Sequence, residues 1–171
     1  MDAILNKIRW GGDPDTPEPH TGLSKRDVYN IKRTWEIIYA QGETYGLEVF
    51  LRLFRMNPVT KTYFKMVKDM DETEIKKSNR FKAHVITFMS SLNMAVANLH
   101  QPSVVEALMN KLGESHRKAH VDIVHFEEAR TVLIDMLKKD LAQSDDVISS
   151  WGRFIAFIYK HIFVKLTKPI F

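Results

Sequence analysis

The chain carries seven histidines and no cysteine, so its acid–base and metal-binding chemistry rests on imidazole. They are His20, His84, His100, His116, His120, His125 and His161. On a helix turning about 100° per residue, with Val105 at zero, Leu112 falls near about −20° and His116 near about +20°. His116 thus stands in the middle of an apolar stripe, where two ring nitrogens must be satisfied. It reads either as a core histidine bonded to a backbone carbonyl or as a metal ligand steadied through its other nitrogen. His84 falls about 60° from Phe81, at the edge of the stripe holding Val85 and Phe88. It looks into a cleft beside the core; alone, such a residue reads as a half-exposed surface histidine. His116 and His120 are one helical turn apart and could clamp zinc, but no Glu follows the first and no thiolate exists, so zinc is the weak reading. His100, His125 and His161 read as surface or partly buried spacers, and His20 lies in a Pro-rich loop.

The absence of cysteine removes disulfides, thiolate zinc sites, iron–sulfur clusters and thiol nucleophiles, and fits a reducing compartment. No G-x-S-x-G, Walker A or G-x-G-x-x-G occurs, so the chain is read as a binding protein before an enzyme. Carboxylates are expected on solvent faces, with none paired in an apolar frame. The net charge of +4 is spread too thinly to suggest a nucleic-acid partner. The longest apolar run, Phe154 to Tyr159, is six residues, far short of the roughly 20 that span a bilayer. The opening MDAILNKIRW has no signal-peptide core, and Asp2 stands where N-myristoylation requires glycine. A soluble, cytoplasmic protein is expected.

The elements that must position these histidines are helical. Residues 11–22, GGDPDTPEPHTG, hold three of six prolines and three of seven glycines and form a loop. Residues 1–22 are read as an extension, with Met1–Trp10 able to make a short amphipathic turn, and residues 23–171 as the domain. Ser24 and Asp27 form a capping box, with Leu23 and Val28 at the staple positions. Val28, Ile31, Trp35 and Tyr39 follow at helical spacing, and after Gln41-Gly42 come Leu47, Phe50, Leu51 and Phe54. Asn57-Pro58 opens a short helix. Asp71 to Leu99 reads as the longest helical stretch. Further helices cover Val104–Ala119, the segment Phe126 to Leu141, and the segment Trp151 to Ile162, which stops near Pro169. No sustained period-two alternation appears. The expected class is all-α, about six long helices plus short ones.

In order along Leu23–Leu166, these residues resemble a globin. FLRLFRMNPVTKTYF resembles the family's second helix, its Pro-started short helix and the heme-stacking Phe, with Pro58 and Phe64 six apart. NRFKAHVITF places His84 where globins carry the distal histidine, and KLGESHRKAHVDIVHFEEA places His116 at the proximal position, 32 residues on. WGRFIAFIYKHIF resembles the last helix of invertebrate, arthropod-like intracellular globins. The resemblance implies a globin fold around heme b, with His116 ligating iron, His84 above it and Phe64 flat on the porphyrin. It places Leu112 one turn before His116, His120 within reach of a propionate, and Gly46 at a close helix crossing. It implies reversible binding of O₂ or another diatomic gas, possible six-coordination through His84, and possible secondary NO or peroxidase-like chemistry. Heme redox catalysis, gas sensing and a heme-free interaction protein are the other readings. This chain departs from the family in Val85, where a small residue is usual, and in Phe88, where an aliphatic one is. Phe50 and Phe88 together are expected to crowd the distal side.

Overall fold

Ser24 opens the first helix, as its spacing to Asp27 predicts. Asp27 N–H donates to Ser24 Oγ at 3.1 Å and Ser24 N–H donates to Asp27 Oδ2 at 2.9 Å, which satisfies two otherwise orphaned amides. The computed structural model describes residue 8 and residues 10–168. The amphipathic turn expected over Met1–Trp10 lies, apart from Ile8 and Trp10, outside the described residues, as does the stop at Pro169.

The helices run α1 (Lys25–Ala40), α2 (Gly42–Met56), a 3₁₀ helix (Pro58–Tyr63), α3 (Glu72–Lys77), α4 (Asn79–Ala97), α5 (Pro102–Lys118), α6 (Ile123–Lys139) and α7 (Asp145–Leu166). No strand occurs among the described residues. The all-α class, with six long helices and two short ones, is as the periodicity indicates.

One element differs. The stretch expected as a single helix from Asp71 to Leu99 is broken at Ser78. Ser78 is extended (φ −75°, ψ 106°) and its hydroxyl accepts from Phe81 N–H at 3.3 Å. A serine that can cap a new helix competes with continuation of the old one. The longest helix is therefore α7, with 22 residues.

Two glycines set the helix crossings that frame the site. A Cβ on Gly46 would lie 2.7 Å from Met89 Cγ and 2.8 Å from Val85 Cγ1, so α2 and α4 cross in near contact. This is the small residue at a close crossing that the resemblance implies. A Cβ on Gly113 would lie only 2.3 Å from the Ile162 carbonyl oxygen, so α5 and α7 meet backbone to backbone. The core between the helices is dominated by Ile31, Phe81, Val85, Val105, Phe154, Ile155 and Ile162, all at most 2 % exposed.

Asp27 corrects the expectation that carboxylates stay on solvent faces. It is 4 % exposed and ties α1 to α7. Arg153 donates from its terminal nitrogen to Asp27 Oδ1 at 2.5 Å and from Nε to Oδ2 at 3.1 Å, and Ser150 Oγ donates to Oδ1 at 2.7 Å. Burial pushes the carboxyl pKa upward, but the Arg153 bonds, with those from Ser24 and Ser150, outweigh it and hold the group at about 2.

The segment before α1 lies against the fold. Pro14 is fully buried, Arg26 N–H donates to its carbonyl at 3.0 Å, and Lys25 Nζ donates to Trp10 O at 2.6 Å. The Trp10 ring meets Tyr29 edge-on at 5.5 Å.

Candidate functional site

His116 sits in the last turn of α5. Its Nδ1 lies 2.9 Å from Leu112 O. A carbonyl can only accept, so Nδ1 carries the hydrogen and Nε2 keeps the lone pair. Leu112, one turn earlier and half-buried against the core, thus fixes both tautomer and ring orientation. Phe126 of α6 packs on the His116 ring at 5.1 Å and is itself backed by Tyr159 and Phe163 of α7. Tyr159 O–H donates to Phe126 O at 2.6 Å, which pins this wall. Burial pushes the His116 pKa down, against the opposing pull of the Leu112 carbonyl. A neutral imidazole with a free Nε2 is the form that ligates a metal.

His84, on α4, is walled by rings. Phe50 and Phe64 meet it edge-on at 5.2 and 5.1 Å, and Phe81 lies near-parallel at 6.1 Å. Burial lowers its pKa, and the charge of His116 lowers it further. Phe88, one turn along α4, contacts Phe50 at 5.1 Å, and Phe50 contacts Phe64 at 5.4 Å. Phe50 is 6 % exposed, while Phe64, His84 and Phe88 are half-buried.

The residues singled out in the sequence do not all converge. Phe50, Phe64, His84 and Phe88 form one aromatic wall; Leu112 and His116 form another with Phe126. His120 stands apart from both: it is exposed, in the left-handed region (φ 57°), in the turn that ends α5. His125 does more than space. Its Nδ1 and Glu128 Oε2 are 3.3 Å apart, both close on Thr60 Oγ1, and Asn57 Nδ2 donates to Glu128 Oε1 at 2.6 Å. This cluster fastens the 3₁₀ helix, and with it Phe64, to α6. His161, expected as a spacer at or near the surface, is buried at 8 % exposure. Phe126 marks an apolar stripe in the sequence, whereas Tyr159 and Phe163 do not stand out there, and nothing in the spacing says that the three stack behind His116.

An imidazole oriented by Leu112 against Phe126, and a second imidazole walled by Phe50, Phe64 and Phe81, stand in an all-α fold. The comparisons with known proteins give the family. The Globin family model matches residues 47–162. Cytoglobin-2 of Danio rerio is 32% identical over 152 residues, covering 86% of this chain and 83% of that one. Globin CTT-VIIB-4 of Chironomus thummi thummi is 26% identical over 110 residues, covering 63% and 68%. The chain belongs to the globin family.

Solved structures share the fold. A Drosophila melanogaster globin superposes with a TM-score of 0.78 at 21% identity, covering 83% of this chain and 94% of that one. A hexacoordinated heme protein from an anhydrobiotic tardigrade superposes with a TM-score of 0.81 at 18% identity, covering 88% and 99%. The residues present fit heme, the group the family implies. Leu112 leaves His116 Nε2 as the sole free ligand atom on that ring, and Phe64, Phe88 and Phe126 offer half-buried apolar faces to a macrocycle.

Proposed function

We propose that this chain binds one heme b noncovalently and uses it to bind O₂, or another diatomic gas, reversibly. The observation that carries the reading is His116, locked by Leu112 O at 2.9 Å with Nε2 free, together with a second buried imidazole, His84, walled by Phe50 and Phe64. Heme, when bound, supplies the iron on which a diatomic gas is held. His116 Nε2 would hold the iron, and its Nδ1–H···O bond to Leu112 would raise its basicity. Phe64 and Phe88 supply apolar faces and exclude water. His84 would offer an N–H to a bound gas or, with no gas present, its lone pair to the iron. His120, exposed at the end of α5, is the residue assigned to a propionate.

A six-coordinate resting state is favoured by one feature: Phe50, Phe64 and Phe81 hold the His84 ring at 5.2, 5.1 and 6.1 Å. A site filled by rings leaves little space for water, and a ligating His84 fills what remains. A gas must then displace His84, so observed affinity falls with the fraction of molecules open. No helix among the described residues is long and apolar enough to cross a membrane. With no cysteine to oxidise, the chain suits the cytoplasm.

The test is hemin titration of the apoprotein, which is expected to saturate near one equivalent with a Soret shift. His116→Ala should abolish the proximal ligation signature. Tight binding that survives loss of both His116 and His84 would overturn the assignment. Rates of autoxidation and NO turnover separate reversible gas binding from redox catalysis on the same scaffold.

A further inference from the structure

Three side chains from separate segments, none of them in contact with His84 or His116, meet elsewhere in the fold. His20 Nε2 lies 3.3 Å from Glu106 Oε2, and His161 Nδ1 lies 3.7 Å from Glu106 Oε1. One ligand atom from each of the three residues lies within 4.8 Å of the other two. His20 belongs to the loop before α1, Glu106 to α5 and His161 to α7. In the sequence His161 reads as a spacer and His20 as a residue of the Pro-rich loop.

The arrangement is held in place. Glu18 accepts from His20 N–H at 2.9 Å and from Thr21 N–H at 2.8 Å, and Gly22 turns the chain at φ +70° into α1. Phe157 sets both rings, meeting His161 edge-on at 5.2 Å and His20 at 6.3 Å. Glu106 and His161 stand on α5 and α7, whose crossing is fixed by the contact of Gly113 with Ile162, the residue after His161.

The protein alone does not satisfy His161. The residue is 8 % exposed, and its Nε2 has no hydrogen-bond partner. Its Nδ1 is 3.7 Å from the Glu106 carboxylate, too long for a hydrogen bond. With the proton on Nε2, Nδ1 turns a lone pair toward carboxylate lone pairs. A cation between them converts that repulsion into two bonds.

We propose that His20, Glu106 and His161 bind one divalent transition-metal ion of borderline softness, zinc being the probe, and that this ion clamps the segment before α1 onto α5 and α7. Two imidazoles and a carboxylate are ligands suited to such an ion, with water as a fourth. Tetrahedral bonds of about 2.0–2.2 Å place ligand atoms about 3.3–3.6 Å apart. The three ligand atoms, within 4.8 Å of one another, must close by at most about 1.5 Å, which a small rotation of His20, the exposed member, supplies. The site does not depend on what His84 and His116 hold.

The experiment uses the full chain as isolated. Zinc chloride is titrated against a chromophoric chelator for the parent, Glu106→Gln, His20→Ala and the control His100→Ala, with melting curves to confirm that each is folded. The expected result is one zinc per parent chain that is weakened at least tenfold by Glu106→Gln and by His20→Ala and unchanged by His100→Ala. Hydrogen exchange of residues 13–24 is followed in parallel. Zinc should slow it in the parent and leave it unchanged in Glu106→Gln. No binding to the parent, equal affinity in parent and Glu106→Gln, or exchange unaffected by zinc in the parent overturns the proposal.

Discussion

Gly113 is the position where a single methyl group tests the architecture. Alanine is the better helix former by about 1 kcal/mol, so on propensity alone Gly113→Ala stabilises α5. The structure reverses the sign. The new Cβ would stand 2.3 Å from the Ile162 carbonyl oxygen and 3.0 Å from Lys165 Cβ. A comfortable carbon–oxygen contact is about 3.3–3.6 Å, so α5 and α7 must part by about 1 Å. The obstacle is backbone and cannot rotate away, which puts the overpacking cost near the upper end of the usual range, about 3 kcal/mol. The net loss is about 2 kcal/mol, or roughly 4–8 °C in Tm for a domain of this size. At Gly46 the same methyl would meet Met89 Cγ at 2.7 Å and Val85 Cγ1 at 2.8 Å. Those are side-chain atoms, and methionine repacks easily, so Gly46→Ala should cost no more than about 1 kcal/mol. Thermal and urea melts of the parent and both variants decide the matter. Because Gly113 lies three residues before His116, its variant should also disturb the Soret band of hemin-loaded protein more than Gly46→Ala does. A Gly113→Ala protein as stable as the parent, or more so, would show that the α5–α7 crossing is looser than described and would overturn the steric argument.

Replacing His84 with Leu should change the deoxy-ferrous visible spectrum from a split, low-spin pattern to a broad, high-spin one; a parent already high-spin at neutral pH means that Phe50 and Phe88 do not close the distal side. Asp27→Asn should cost about 1–2 kcal/mol at pH 7, a value reduced from the full pKa displacement because Arg153 is half exposed. The Asp27 pKa is depressed, so this stabilisation is complete above about pH 4 and is lost as pH falls toward about 2; urea melts of both proteins across that window should converge. His84 and His116 are also depressed below the ordinary histidine value by burial, so the apoprotein's stability should decline as pH drops below about 6.5, ahead of the Asp27 effect. Deleting residues 1–22 should leave hemin stoichiometry at one while lowering Tm by roughly 2–6 °C, through loss of the Pro14 and Trp10 contacts; a lost Soret band would make the segment part of the pocket.

The helices, and the apolar faces on which His84 and His116 lie, were legible in the order of amino acids alone. Apolar residues at helical spacing, the Ser24–Asp27 box and Asn57-Pro58 are local signals, because capping and face burial act within one or two turns. His116 inside its stripe and His84 at the edge of another were legible for the same reason. Ser78 was not, since whether a serine caps or continues a helix depends on where the next segment must go. The rest came from the packing of distant segments. It buried Asp27 under Arg153, across 126 positions of chain, and stacked Phe126, Tyr159 and Phe163 behind the His116 ring. It also brought His20 to Glu106, 86 positions away, beside a buried His161. Periodicity reports which face of a helix is apolar. Which residues meet across two faces is fixed by where helices cross, and here Gly113 and Gly46 set those crossings through contacts to residues distant in the chain.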